Sequence, residues 1–329
     1  METILQHIGI DVSKDSLDVA FQQTEGVYEV IQLSNDAAGY SSLLGMLQPH
    51  QRCVVEATGS FHVALCVFLH ENGQGVSVVN PLSVKHFARM MMRRAKTDRI
   101  DAQVIARYGQ MTQPQLWEPH AAHLTQLHQL LSVAEQLTKQ KTALTNQSKD
   151  LVRVPNYSEK ALQVLDSQIK NLKNELRELD EAVRQIVQGH YTSLDENLRS
   201  IPGIGPKTAA VLIVLTEGFT KFANYKALIA YAGLAPRTFQ SGSSVKGVSH
   251  ICKLGAAFLR KLLYECAHSA KRFNPYCRSL FKRLFEEKKK PYRVAMIAVA
   301  NKLIKLAFAI ASSGKPFDPR FSPQTQTTQ

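Results

Sequence analysis

The sequence predicts an α/β domain at the N-terminus, a long helical middle and a mainly helical, strongly basic C-terminal third. Three observations carry this. Short apolar runs separated by turn residues fill the first eighty positions, apolar residues then recur at alternating steps of three and four, and cations crowd the region after Lys246. A chain of 329 residues at roughly 150 per domain gives about two folding units. With 40 Lys and Arg against 27 Asp and Glu, the net charge is +13, on a chain that is 44% hydrophobic. That describes a folded protein with a cationic surface and excludes a disulfide mini-protein or a largely disordered chain. The five cysteines, Cys53, Cys66, Cys252, Cys266 and Cys277, are odd in number and form no C-x-x-C pair, which argues against a disulfide framework and a zinc site. The most apolar stretch, Val294 to Ala311, contains Asn301, Lys302 and Lys305, so a packed amphipathic helix is expected rather than a membrane span. METILQHIGID runs directly into strand-like sequence without signal-peptide features, which points to the cytoplasm.

Taken in order, His7 to Phe21 begins apolar, breaks at Asp11 to Asp15 and resumes apolar, as a hairpin does. Tyr28 to Leu33 and Arg52 to Glu56 read as further strands, Ser60 to Asn72 as a helix, and Val76 to Asn80 as a buried strand ending before Pro81. Hairpin strands followed by strand, helix, strand predict a mixed sheet flanked by helices, of which the RNase H-like fold is one example. Ser83 to Gln110 reads as mostly helical and basic, with Lys85, Arg89, Arg93, Arg94, Lys96 and Arg99 beside Asp98 and Asp101.

In the middle, Leu162, Leu165, Ile169, Leu172, Leu176, Leu179, Val183 and Ile186 trace a coiled-coil seam. Leu130, Leu137, Leu144 and Leu151 lie at heptad spacing on an earlier helix, roughly Leu124 to Val152, and Pro155 and Asn156 break the two apart. Two antiparallel helices with a short loop are expected, either as a spacer within one chain or as a dimerising element. The implied domains are 1–115, a helical linker over 116–190, and 191–329. In the last of these, thirteen cations from Lys246 to Arg293 face only Glu265, Glu286 and Glu287.

Asp11 follows an apolar strand, Glu56 ends another, and Asp98 and Asp101 share one face of a helix. Four such carboxylates can hold two divalent cations for phosphoryl transfer, although a turn aspartate also serves as a backbone cap and helical acids also serve as solvated ion pairs. Asp15 and Asp18 compete with Asp11 for the first position. Pro202 to Gly205 (P-G-I-G), followed by Pro206, Lys207 and Thr208, matches a helix-hairpin-helix pattern in which Gly203, Gly205, Lys207 and Thr208 meet a phosphate backbone; the alternative is a plain glycine-capped turn. Beyond it, Ser241, Ser243 and Ser244 share a glycine-rich segment with Arg237 and Lys246. A serine nucleophile there needs activation by a base, a cation or a metal, and His250 is the nearest histidine.

In this order, IGIDVSKDSLDV, EATG, KTDRIDA, SIPGIGPKTA and AGLAPRTFQSGSSVKG resemble the DEDD transposases of bacterial insertion sequences of the IS110 type and the related Piv-like site-specific DNA invertases. The resemblance runs from about residue 7 to 320. It implies a Holliday-junction-resolvase-like RNase H fold, a coiled-coil linker, and a C-terminal transposase domain with a catalytic serine. Carried over by motif, the tetrad falls on Asp11, Glu56, Asp98 and Asp101 with Mg²⁺ as the expected metal, and the nucleophile falls on Ser241. The resemblance further implies donor and target DNA as partners, dimers or tetramers, action at the bacterial nucleoid, and a noncoding bridge RNA as guide. Three other readings remain: a metal-only junction resolvase or nuclease, an actin-like or sugar-kinase ATPase, and a non-enzymatic nucleic-acid binder.

Overall fold

A computed structural model describes residues 6–24, 26–92, 97–237, 240–241, 245–246 and 250–320. The chain forms two compact units, Met1–His120 and Ala121–Gln329.

The first unit is a five-stranded sheet with helices on both faces. Its strands are β1 (Gln6–Val12), β2 (Ser16–Thr24), β3 (Val27–Ser34), β4 (Gln51–Glu56) and β5 (Val76–Val79). Their order is β3-β2-β1-β4-β5, with the first three antiparallel and β1, β4 and β5 parallel. The mixed sheet expected from the apolar runs is present. Strand alternation sends Ile8, Ile10, Leu17, Val19, Cys53 and Val55 to one face, where they bury Leu43 of α1 (Ala37–Met46) and Leu65 and Leu69 of α2 (Val63–Glu71). Each such side chain contributes about 1.5–3 kcal/mol by leaving water. Helix α1 was not anticipated from the sequence; Asp36 caps it by accepting from the Gly39 amide at 2.9 Å.

The opposite face is covered by α4 (Asp98–Thr112), with α3 (Pro81–Met90) beside it. Close approach of α4 requires a glycine in β1, because a Cβ at Gly9 would collide with the Ala102 carbonyl oxygen and the Ala106 nitrogen.

The second unit opens with α5 (Ala122–Leu151) and α6 (Glu159–Arg199), which run antiparallel. Ser148 donates to Asp166 at 3.3 Å near the loop, and His123 stacks on His190 at 4.0 Å at the far end. The apolar seam lies between these helices, with Leu172, Val183 and Val187 buried. Around them stand α7 (Pro206–Thr216), α8 (Tyr225–Tyr231), four two-residue strands β6 (Pro236–Arg237), β7 (Gln240–Ser241), β8 (Val245–Lys246) and β9 (His250–Ile251), then α9 (Ala257–Phe273), α10 (Pro275–Lys282), a π-helical turn and α11 (Tyr292–Ser313). Length and composition alone would let α11 cross a bilayer. Here it is a core helix: Met296, Val299, Leu303 and Ala307 are fully buried, and Lys302 and Lys305 lie over the rings of Tyr276 and Tyr225 at 5.6 and 5.2 Å.

Candidate active site

Three adjacent strands and one helix place acids around one cleft of the first unit. In the parallel register Ile10 faces Val55, so Asp11 and Glu56 follow on neighbouring strands. On the other side, the antiparallel register sets Asp11 directly opposite Asp18. All three share the sheet face of Gly9, Ala20 and Val54, which α4 covers. Helix α4 begins beside them: Thr97 caps it, accepting from the Ile100 amide at 3.3 Å, and Asp98 and Asp101 occupy its first turn, where the helix dipole favours negative charge. The cleft holds about 670 Å³, is lined by Asp11, Asp18, Glu56, Asp98 and Asp101, and carries Lys85 and Arg89 of α3 at its edge.

Crowding sets the electrostatics. Burial first, and then the charges of Asp101, Glu56, Asp98 and Asp18 in that order, together raise the pKa of Asp11 to about 6. Among the described residues no three His, Cys, Asp or Glu side chains close on one point as a metal-ligand set. The acids line the cleft without gripping a common centre. Their all-oxygen, anionic character suits Mg²⁺, and the strain on Asp11 is what a divalent cation would relieve.

A pH dependence follows. The folded state binds the Asp11 proton more tightly than the unfolded chain, so without metal this group destabilises the fold above about pH 6 and ceases to do so below about pH 4. In chelator at pH 8, Asp11→Asn is expected to raise stability by about 1 kcal/mol, a figure reduced for screening in an open cleft. At pH 4 the gain should vanish. Urea titrations at both values check this; the difference between variant and wild type cancels buried His7 and His62, whose lowered pKa values act in the opposite direction.

The second unit carries the other predicted residues. Ser241 ends β7, paired with Val245 of β8; Ser243 and Ser244 lie outside the described residues. Lys246 ends β8, and Arg237 is exposed on β6 opposite His250. The α6–α7 connection contains Gly203 at φ +111°, where a Cβ would press on Ala270 of α9 at 2.7 Å, and Gly205, the residue preceding α7. Gly203 is therefore needed for chain packing as well as for the turn. The Thr208 side chain departs from the phosphate-contact expectation: it is 3% exposed, and its hydroxyl meets the Cys266 thiol at 3.1 Å. Lys207 stays half-exposed, in a cleft with Arg184 and Arg199. Lys207→Ala is expected to weaken DNA binding on every sequence and to flatten the log–log salt slope by about one counterion. Anisotropy titrations between low and moderate salt check it; an unchanged slope would return the turn to a purely structural role.

The sheet register places Asp18, a rival of Asp11 for the first position, directly beside it on the neighbouring strand.

Residues 8–155 match a transposase family of the DEDD, IS110 type, and residues 195–282 match the transposase family IS116/IS110/IS902. The pilin gene-inverting proteins of Moraxella lacunata and Moraxella bovis are each 32% identical to the chain, over 95% of it and 98% of the relative. The transposase for insertion sequence element IS1328 of Yersinia enterocolitica is 23% identical, over 94% of the chain and 98% of the relative.

Proposed function

The chain belongs to the IS110 family of transposases and is a DNA transposase or site-specific recombinase, and from this premise we propose that Ser241 attacks a DNA phosphodiester with the help of a metal-binding tetrad. The observation that carries the reading is the gathering of Asp11, Glu56, Asp98 and Asp101, the residues onto which the resemblance carries the tetrad, on one cleft. These four carboxylates would hold Mg²⁺. A divalent cation held by them would supply stabilisation of the negative charge that develops in phosphoryl transfer.

The chain's own residues then have distinct tasks. Asp11, at the centre of the sheet face, and Glu56 beside it form a fixed floor, because both extend from paired strands. Asp98 and Asp101 approach from the helix start. Lys85 and Arg89, one turn apart on α3, are placed to hold phosphates at the edge of the cleft. The Ser241 oxygen forms a bond to phosphorus as the departing strand leaves with a deoxyribose hydroxyl. A hydroxyl of the partner strand then displaces the serine, so the number of P–O ester bonds is conserved and no nucleotide cofactor is consumed.

We read the first unit as RNase H-like, supported by the strand order 3-2-1-4-5 with its antiparallel hairpins and parallel additions. The α6–α7 connection is read as a helix-hairpin-helix, supported by its glycine turn and the helix that starts at Pro206. The antiparallel α5–α6 pair serves as the coiled-coil linker of a dimer or tetramer acting at the nucleoid. The charge of +13 suits a second nucleic acid beside DNA, consistent with a bridge RNA. A second reading, inversion of a DNA segment rather than insertion, is favoured by the two pilin gene-inverting relatives, which align over nearly the whole chain.

The test is a covalent adduct. Protein purified from cells carrying its native locus, together with any RNA that accompanies it, is incubated with DNA spanning the element ends and Mg²⁺ and run on a denaturing gel. A protein–DNA band that disappears in EDTA and maps to the peptide containing Ser241 is expected. Metal-dependent cutting with no such band would mean a water-using nuclease.

A further inference from the structure

Asp18 is 4% exposed, making it the most buried carboxylate among the described residues, yet it lines the cleft of the tetrad. Its only hydrogen bond from the described residues comes from Gln32 Nε2 at 3.4 Å, the long end of the range for N–H donors. Among the described residues no Lys, Arg or His makes an ion pair with it. A carboxylate so placed is costly, and the register makes it more so, because like charges directly opposite on antiparallel strands repel. An amide or an apolar side chain would fill the position at lower cost. The position is also symmetric. Across the sheet the row runs Gln32, Asp18, Asp11, Glu56, so Asp18 stands on the β2 side of Asp11 as Glu56 stands on its β4 side.

We infer that Asp18 is a fifth carboxylate of the metal site, holding a divalent cation together with Asp11 from the β2 side, with Gln32 orienting it. This rests on the metal reading of the tetrad given above. The cation takes the place of the ion-pair partner that buried Asp18 lacks among the described residues, with half-buried Asp11 opposite it, and the cleft gives the cation access. Asp18 is thereby a ligand-holding residue that the four-acid motif does not include.

The experiment uses the full chain and Mn²⁺ alone as probe, with binding followed by electron paramagnetic resonance and by the metal-induced rise in melting temperature. Asp18→Asn is expected to weaken Mn²⁺ binding at least tenfold and to shrink the metal-induced rise, while the metal-free melting temperature stays equal or increases. Mn²⁺ binding within twofold of wild type in Asp18→Asn, with binding lost in Asp11→Asn, would overturn the inference and leave the tetrad intact. Equal binding in wild type and Asp11→Asn would overturn the metal reading, and this inference with it. If Asp18→Asn fails to fold, Asp18→Glu keeps the charge and displaces it by one methylene. A changed spectrum of bound Mn²⁺ is then expected, and a spectrum identical to wild type would overturn the assignment.

Discussion

Asp101→Asn is expected to lower DNA cleavage by about 10³-fold or more, because loss of one anionic ligand removes several kcal/mol of metal-mediated transition-state stabilisation and each ~1.4 kcal/mol is tenfold. DNA affinity should stay within about threefold, since the substitution removes no cation from the surface that meets the phosphate backbone. Among the neighbouring charges, Asp101 acts most strongly on Asp11. Asparagine has nearly the same volume, and the helix start is held by Thr97, so the loss reports charge rather than packing. Single-turnover cleavage beside anisotropy binding makes the measurement. Weakened binding with activity per bound complex intact would remove Asp101 from the metal site.

Much of this site was legible in the sequence because strands and helices announce themselves differently. Period-two apolar runs around Ile8–Ile10, Leu17–Val19 and Cys53–Val55 fix which face each residue takes, and one such face carries Asp11 and Glu56. The i, i+3 spacing of Asp98 and Asp101 needed only a helix. Asp18 was missed as a partner for a reason that is equally physical. Acids close together in sequence around a turn look like alternatives for one position, whereas a hairpin centred between Lys14 and Asp15 pairs positions whose numbers sum to 29, and so sets Asp18 opposite Asp11. Helix α1 went unnoticed because its small residues and mixed periodicity give little amphipathic signal, although Asp36 is a ready cap. Thr208 illustrates the converse. A helix-hairpin-helix pattern specifies residue types, not which way a hydroxyl turns, and the fold uses this one internally against Cys266.

Ser241→Ala separates the two chemistries that the tetrad alone would allow. If Ser241 is the nucleophile, the variant should lose strand transfer by at least about 10⁴-fold, the scale on which removal of a covalent nucleophile acts in other enzymes. The protein–DNA adduct should be lost altogether. DNA binding and Mn²⁺-induced stabilisation should not change, because the hydroxyl belongs to the second unit and the carboxylates to the first. A metal-only nuclease makes the opposite prediction: water is its nucleophile, so Ser241→Ala cuts at the wild-type rate and neither protein forms an adduct. Ser241→Cys sharpens the comparison. A thiol keeps the geometry but is a softer nucleophile toward phosphorus, so trace adduct with thiol chemistry would still mark position 241 as the point of attachment. An adduct that persists in Ser241→Ala would move the nucleophile elsewhere in the same segment, with Ser243 and Ser244 the next positions to change.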